Sequence, residues 1–324
     1  MAQILKIKPA AQGQRLDKFL NEKIKSLSRS QIKKIIKAGL VLVNDKIVSP
    51  HYFLKTGDQI QVIKKSVVAR PEITGQMTGQ NLTPNIIFQD QDFLVIEKPS
   101  GLLVHPTARG EKETLVAWLA KKYPAIKSVG ENQYRAGIIH RLDKDVSGVM
   151  VVAKTQTAFN HLKEQFKKRV VKKEYTAVVY GRVSQPKGEI DLPIGRNKDG
   201  QFVAHPKKGD EKFQASDKIA KTKYELIEYL KNYSLLKVNI LTGRTHQIRV
   251  HLSALGHPVI GDQIYEPKKK IFHFLRRRIK VVAADRIMLH STKIGFYDLK
   301  NQWQEFVSAW PKSMTDFINA NKEQ

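Results

Sequence analysis

Cysteine is absent from this chain, which excludes disulfides, thiolate nucleophiles and cysteine zinc sites. Any metal would need His and carboxylate ligands. Also missing are an apolar run of about 18 residues, an N-terminal apolar stretch behind a basic start and a lipidation signature at either end. The expectation is a soluble, cytoplasmic protein with no membrane partner. No internal repeat has a period of tens of residues, and no long low-complexity tract occurs. Negative charge is scarce: 30 Asp and Glu stand against 57 Lys and Arg, a formal net charge of +27. That excess is beyond what solubility requires and argues for a polyanionic partner, nucleic acid ahead of an anionic membrane. Single basic runs, such as Lys167 to Arg169 or Arg276 to Arg278, each read as a solvated face; their sum does not.

What is present begins with 324 residues at 41% apolar content, enough for a large domain with a core and a smaller one beside it. From Arg15 the chain reads as a helix with Leu16, Phe19, Leu20 and Ile24 on one side. Ser28 with Gln31 fits a capping box, and Leu27 against Ile32 fits a hydrophobic staple, so a second helix runs to about Lys37 and stops at Gly39. Its Arg29, Lys33, Lys34 and Lys37 make one face strongly positive while Ile32, Ile35 and Ile36 turn inward. The alternation in "LVLVNDKIV" predicts a hairpin turning at Asn44-Asp45, and "GDQIQV" a further short strand. Two short helices followed by small strands resemble the S4 RNA-binding module, here residues 13–63. That resemblance implies phosphate contacts by Arg29, Lys33 and Lys34; a merely basic surface helix is the bland alternative.

Residues 64–84 lack periodicity and carry Pro71, Gly75, Gly79 and Pro84, so they read as a tether. A second domain spans 85–324. "IIFQDQDFLVIEKPSGLLVHP" predicts two strands turning near Asp90, a Pro-Ser-Gly break and another strand. Thr114 to Lys122 predicts a short helix, Thr155 to Lys168 a longer one with Phe159, Leu162 and Phe166 at helical spacing, and "KKEYTAVVYGRV" a strand. "SLLKVNILTGRTHQIRVHLSALGHP" reads as a strand to about Leu241, a turn, and a helix from near Thr245 ended by Gly256 and Pro258. Strands and helices mix without regular βαβ alternation, so the fold class is α+β.

Between two strand-like runs lies "HRLDKDVSG", residues 140–148, on a connection, where a rigid scaffold presents chemistry. Asp143 has Arg141 before it and Lys144 after it. Such a carboxylate is either a poised nucleophile or a structural ion pair. Together "HRLDKDVSG", "KKEYTAVVYG", "LTGRTHQIRVHLSALGHPVIGDQIY" and "IEKPSGLLVHP" closely resemble the motifs of the RluA-type pseudouridine synthases, which isomerise uridine in structured RNA, and they occur in that family's order. The resemblance spans most of residues 85–310. It implies a central mixed, largely antiparallel sheet flanked by helices and loops. It also implies Asp143 as catalytic aspartate, Tyr175 as active-site tyrosine, Arg249 as the basic residue that pairs with the aspartate, and Arg141 as the arginine that takes the place of the extruded base. His140 and Gln247 fall on motif positions beside the substrate. Val146 departs from the threonine common there; Ser147 and Gly148 are kept.

These residue types suit the reaction. Uridine isomerisation needs the N-glycosidic bond broken, the base turned and a carbon–carbon bond made at the same sugar carbon, with no redox change and no cofactor. A carboxylate can act as nucleophile or base, and a guanidinium fork orients it as Lys cannot. A phenol offers a stacking face and a proton relay, and a side chain filling the vacated stack eases base flipping. The same residues admit three rivals. Asp143 with Asp145 could be a glycosidase pair, though two residues apart they sit too close. His246, His251 and His257 could hold a nuclease metal, though His246 and His251 point apart on a helix; capping or core roles suit them better. A non-enzymatic RNA-binding or ribosome-assembly factor would need only the charge and the S4-like module. The expected partner is structured RNA, ribosomal large-subunit RNA by resemblance or transfer RNA, met by a monomer. Residues 263–285, with Phe272 and Phe274 among Lys and Arg, read either as an RNA contact or as a basic loop.

Overall fold

The computed structural model describes residues 3–6, 12–24, 32–33, 35–36, 39–62, 82–107, 110–197, 199–205, 216–265 and 284–323. Two compact units emerge, Met1–Glu72 and Ile73–Gln324. Among the described residues no helix is long and apolar enough to cross a membrane.

In the first unit, strand β1 (Gln3–Lys6) precedes helix α1 (Leu16–Lys23) and strands β2 (Val41–Val43), β3 (Lys46–Ile47) and β4 (Gln59–Val62). The sheet order is β1-β4-β2-β3. Helix α1 turns Leu16, Phe19 and Leu20 into a core shared with Ile32, Ile36, Val41, Leu54 and Ile60. Asn44 and Asp45 both take positive φ, 49° and 60°, as a two-residue hairpin turn demands. Strand β1 has no counterpart among the expected elements; four residues without a flanking turn signal carry too little period to read, and pairing with β4 is what makes them a strand.

The second unit runs through β5 (Asn85–Gln89), β6 (Phe93–Lys98), α2 (Leu115–Lys122), β7 (Ser147–Ala153), α3 (Gln156–Lys168), β8 (Lys172–Tyr180) and β9 (Lys187–Asp191). It continues through β10 (Ile194–Arg196), β11 (Phe202–Ala204), β12 (Lys221–Leu230), β13 (Tyr233–Ile240), α4 (Gln247–Ala254), β14 (Leu289–Tyr297), β15 (Trp303–Val307) and α5 (Lys312–Ala320). Nine strands form one sheet in the order β5-β6-β7-β14-β8-β13-β12-β9, with β15 on β14. All its pairings are antiparallel except β7 with β14, so the sheet is mixed and largely antiparallel, and the class is α+β. Every residue of β7 is buried; each of its large aliphatic side chains contributes about 1.5–3 kcal/mol when removed from water.

Local chemistry explains the helices. Thr114 and Thr155 each accept a hydrogen bond from the backbone N–H three residues on, at 3.2 Å, and so start α2 and α3. Two expected strands are missing. Residues 102–104 make only a single bridge, Leu103 to Thr114, and the run before His140 only Ile138 to Val152. The apolar side chains there are buried as expected, but the Leu102 carbonyl is drawn to a side chain instead of a ladder.

Two glycines let backbones pass at close range. A Cβ on Gly148 (φ +119°) would lie 2.2 Å from the Ser291 carbonyl oxygen where β7 meets β14, and one on Gly261 (φ +75°) would lie 2.1 Å from the Arg286 carbonyl oxygen. Only glycine permits those approaches.

Candidate active site

The loop from Arg141 to Val146 enters β7, and its backbone is pinned by the turn after β6. Lys98 is fully buried and donates its three protons to the carbonyls of Pro99, Leu102 and Lys144 at 2.7, 2.8 and 2.9 Å. Burial lowers its pKa to about 7, against the pull of Asp145 and Asp143. Ser100 Oγ donates to the Asp145 carbonyl at 2.6 Å. Ser147, where the loop becomes strand, joins a buried chain of hydrogen bonds. Arg286 Nη2 donates to Ser147 Oγ (2.5 Å), which meets His290 Nδ1 (2.7 Å); His290 Nε2 meets Ser308 Oγ (3.1 Å), which donates to Glu97 (2.9 Å). Burial brings His290 down to about 4, so it is a neutral link.

With its backbone fixed, Asp143 makes its ion pair with neither flanking cation but with Arg249 on α4: Nη1 donates to Oδ2 at 3.1 Å. The other edge of the guanidinium is taken by Asp262, whose carboxylate receives Nε and Nη2 at 2.7 and 2.8 Å. Asp262 Oδ1 also accepts the backbone N–H groups of Ile264 and Tyr265. Burial works against the charge of Arg249, and the hydrogen bonds and field of Asp262, then of Asp143, overcome it and raise its pKa. His246, in the left-handed region at φ 56°, brings Nε2 to 3.9 Å from Asp143 Oδ2 and its Nδ1 to 2.9 Å from the Tyr265 hydroxyl. Burial lowers the pKa of His246, while Asp143 opposes that.

Tyr175, on β8, is buried and hydrogen-bonded to Ser291; burial raises its pKa, so the phenol keeps its proton at neutral pH. Asp143, Tyr175 and Arg249 line one cleft of about 80 Å³, with Arg141, Ile240 and Leu289 among its walls. One carboxylate thus faces an aromatic side chain and a fixed cation. Asp145 instead opens on a different cavity, of about 240 Å³, with Ser100 and Arg286, so no glycosidase pair forms. The three histidines are dispersed too: His251 bonds Thr222 and the Leu192 carbonyl, and His257 the Tyr180 carbonyl.

A family model described as RNA pseudouridylate synthase matches residues 92–254, and the S4 domain model matches residues 14–60. The chain belongs to the RNA pseudouridylate synthase family. It is similar to the ribosomal large subunit pseudouridine synthase D of Haemophilus influenzae, 35% identical over 326 residues, 98% of this chain and 94% of that one. An uncharacterized RNA pseudouridine synthase of Aquifex aeolicus is 37% identical over 97% of this chain and 95% of its own. Among solved structures, human RNA pseudouridylate synthase domain containing 1 superposes with a TM-score of 0.55 at 27% identity, over 73% of this chain and 87% of that one. The protein is an RNA pseudouridine synthase, an isomerase carrying an S4 domain.

Within this synthase, the other residues singled out by motif fare differently. Arg141 is exposed at the cleft, its Nη1 3.0 Å from His105 Nε2. His140 does not reach the cleft. Its Nε2 accepts the Val151 N–H at 3.1 Å, its ring stacks on Phe166 at 4.8 Å, and burial, with Lys173 nearby, lowers its pKa to about 3. It is neutral, packs toward that side and lines a neighbouring cavity. Gln247 lines the cleft, but its amide is spent inside the protein: Oε1 accepts from Thr242 and the Arg244 N–H, and Nε2 donates to the Lys221 carbonyl and Thr222. It braces the start of α4 and has no amide atom left for a substrate. Lys33 lies 3.7 Å from Asp17, which also pairs with Arg15. Arg29 and Lys34 lie outside the described residues, as does most of 263–285.

Sequence reasoning missed Asp262, Lys98 and the nearness of His246 to Asp143. Asp262 sits in "VIGDQIY", and its signal was the Gly-Asp pair after a helix already given an arginine.

Proposed function

We propose that this synthase modifies uridine in large-subunit ribosomal RNA, with Asp143 as the reacting carboxylate. The relatives named as ribosomal large subunit enzymes, similar over nearly the whole chain, support the target. The observation that carries the catalytic assignment is the Asp143–Arg249 ion pair in the cleft walled by Tyr175.

The uridine swings out of its stack into the cleft, at a cost of a few kcal/mol that Arg141 offsets by filling the vacancy. The bond between N1 and the sugar carbon breaks, the uracil turns, and C5 bonds to that same carbon; C5 then loses its proton while N1 gains one, so atoms and charge balance without a cofactor. Attack on the sugar and elimination to a glycal both begin at Asp143, which Arg249 orients. Tyr175 supplies a face for the uracil and an O–H that relays the proton from C5. The S4 unit, with Arg29, Lys33 and Lys34, contributes phosphate contacts, and a single cytoplasmic copy suffices.

The test maps pseudouridine in ribosomal and transfer RNA from cells with and without the protein, then repeats the reaction with purified protein. Loss of a large-subunit site is expected; loss confined to transfer RNA overturns the target. Asp143→Asn is expected to abolish product while RNA affinity survives, and an active Asp143→Asn protein overturns the catalytic assignment.

A further inference from the structure

Beside the Asp143 cleft lies a larger cavity of about 410 Å³ that the isomerisation itself does not need. It shares Arg141, Tyr175, Ile240, Gly243 and Arg244 with the cleft. Five cationic side chains face it, Arg141, Lys167, Arg169, Lys173 and Arg244, and among the described residues no carboxylate lines it. Its apolar wall includes Phe166 and Val171.

Lys173 is the centre of this arrangement. It stands two residues before Tyr175 on β8, and alternate residues of a strand share a face at a spacing of about 6.6 Å; Val171, Lys173 and Tyr175 accordingly all line the same cavity. The Lys173 ammonium lies 5.6 Å from the Phe166 ring centroid and 3.9 Å from where a Cβ on Gly243 would be. It therefore reaches the wall common to both cavities. No ion pair holds it among the described residues, in contrast to Lys187, Lys221 and Lys237, each of which meets a carboxylate. Burial lowers its pKa to about 8, the direction expected of an ammonium that lacks a counter-charge in the free protein. His140 beside it is neutral.

A nucleotide extruded into the Asp143 cleft remains joined to its chain on both sides, so its flanking phosphates stay beside the cleft, and this cavity adjoins it through shared walls. We propose that the cavity is a phosphodiester subsite, in which Lys173, with Arg244 and Arg169, receives the backbone phosphate next to the uridine held at Asp143. The phosphate completes the ion pair that Lys173 lacks, with Phe166 and Val171 on the apolar side of the cavity. Because the contact forms only once the nucleotide is extruded, it favours the flipped state over the stacked one and acts on the step between binding and chemistry. Lys173 is thus a binding residue for the extruded nucleotide, and the proposal rests on the reading of Asp143 as the reacting carboxylate.

The test uses the RNA in which the protein's product has been mapped, assembled by splinted ligation with a neutral methylphosphonate at the linkage 5′ or 3′ of the target uridine. Single-turnover rates are measured for the wild type, Lys173→Met and the milder Lys173→Gln, with thermal unfolding of each. For one linkage, the neutral replacement is expected to slow the wild type about tenfold or more and the folded Lys173 variants less than about threefold, because the partner is already gone. Affinity for unmodified RNA is expected to change little. Equal slowing of wild type and variants at both linkages overturns the subsite while leaving the catalytic reading intact. A wild type that forms no product on all-phosphate RNA, or an active Asp143→Asn, overturns the catalytic reading and the subsite with it.

Discussion

Asp262 grips Arg249 through two parallel hydrogen bonds, 2.7 and 2.8 Å long, and so leaves it one free edge, which meets Asp143 at 3.1 Å. A guanidinium between two carboxylates would otherwise be free to pair with either in several geometries; the buried fork removes that choice. Asp143 is thereby aimed from α4, through a residue 106 positions away in sequence.

Replacing Asp262 should therefore damage both folding and chemistry. Asp262→Ala leaves the buried Arg249 with a single hydrogen bond, to Asp143, and removing one partner of such a buried pair costs up to about 3–5 kcal/mol. Urea unfolding is expected to show that loss. Asp262→Asn, which keeps the shape, is expected to fold and to lower kcat at least tenfold with little change in RNA affinity. A fully active Asp262→Asn would mean that Arg249 needs no such brace.

Tyr175→Phe separates the ring from the hydroxyl. If the O–H relays the proton, kcat falls by roughly 10²–10⁴-fold, as for other lost acid–base groups, while the stacking face and RNA affinity persist. Rapid quench on RNA tritiated at C5 checks it: carbon–carbon bond formation should continue while release of tritium slows. Unchanged tritium release assigns the relay elsewhere.

Lys98 gives a pH signature. Its pKa is lowered to about 7 on folding, from an ordinary 10.5, so between about pH 7 and 10.5 the unfolded chain holds more protons than the folded one. Stability then rises with pH across that window, by at most about 1.4 kcal/mol per unit. Lys98→Met deletes that slope and leaves the carbonyls of Pro99 and Leu102 without that donor, at about 1–3 kcal/mol for each left unsatisfied, while the Lys144 carbonyl keeps the Gly101 N–H. Denaturant titrations of both proteins from pH 6 to 10 measure the difference, and parallel curves would refute it.

Salt distinguishes attraction from catalysis. With a net charge of +27, RNA affinity is expected to fall linearly on a log–log plot of binding against salt, as counterion release requires. Wild type and Asp143→Asn should share one slope. A difference of more than about one unit would place the aspartate in binding as well.

Much of this was legible from residues. The helix of 156–168 was legible from Phe159, Leu162 and Phe166 at helical spacing, and the hairpin from Asn44-Asp45, because those signals are local. Asp143, Tyr175 and Arg249 were recognisable because each sits inside a motif, and the structure brings them to one cleft. Asp262 was not, since its partner lies across a turn and no Lys or Arg stands beside it in sequence. His140 and Gln247 shared those motifs, yet a motif does not tell which way a side chain points; the Val151 N–H holds the His140 ring away from the Asp143 cleft, and Thr242 draws the Gln247 amide into the protein. Nor could alternation of apolar residues place β14 between β7 and β8, since a buried strand reads the same wherever it inserts.

The clamp of β14 on Gly148 has a temporal corollary. Ser291 donates to the Val149 carbonyl 142 residues earlier, so during synthesis the motif bearing Asp143 leaves the ribosome long before the strand that fixes its far end. Pairing across so wide a gap is slow, and a nascent chain that stops short of β14 holds Asp143, Tyr175 and Arg249 but lacks the strand beside them. Catalytic competence thus arrives as one of the last events of maturation, and chains truncated ahead of Leu289 should bind RNA through their charge without converting a single uridine.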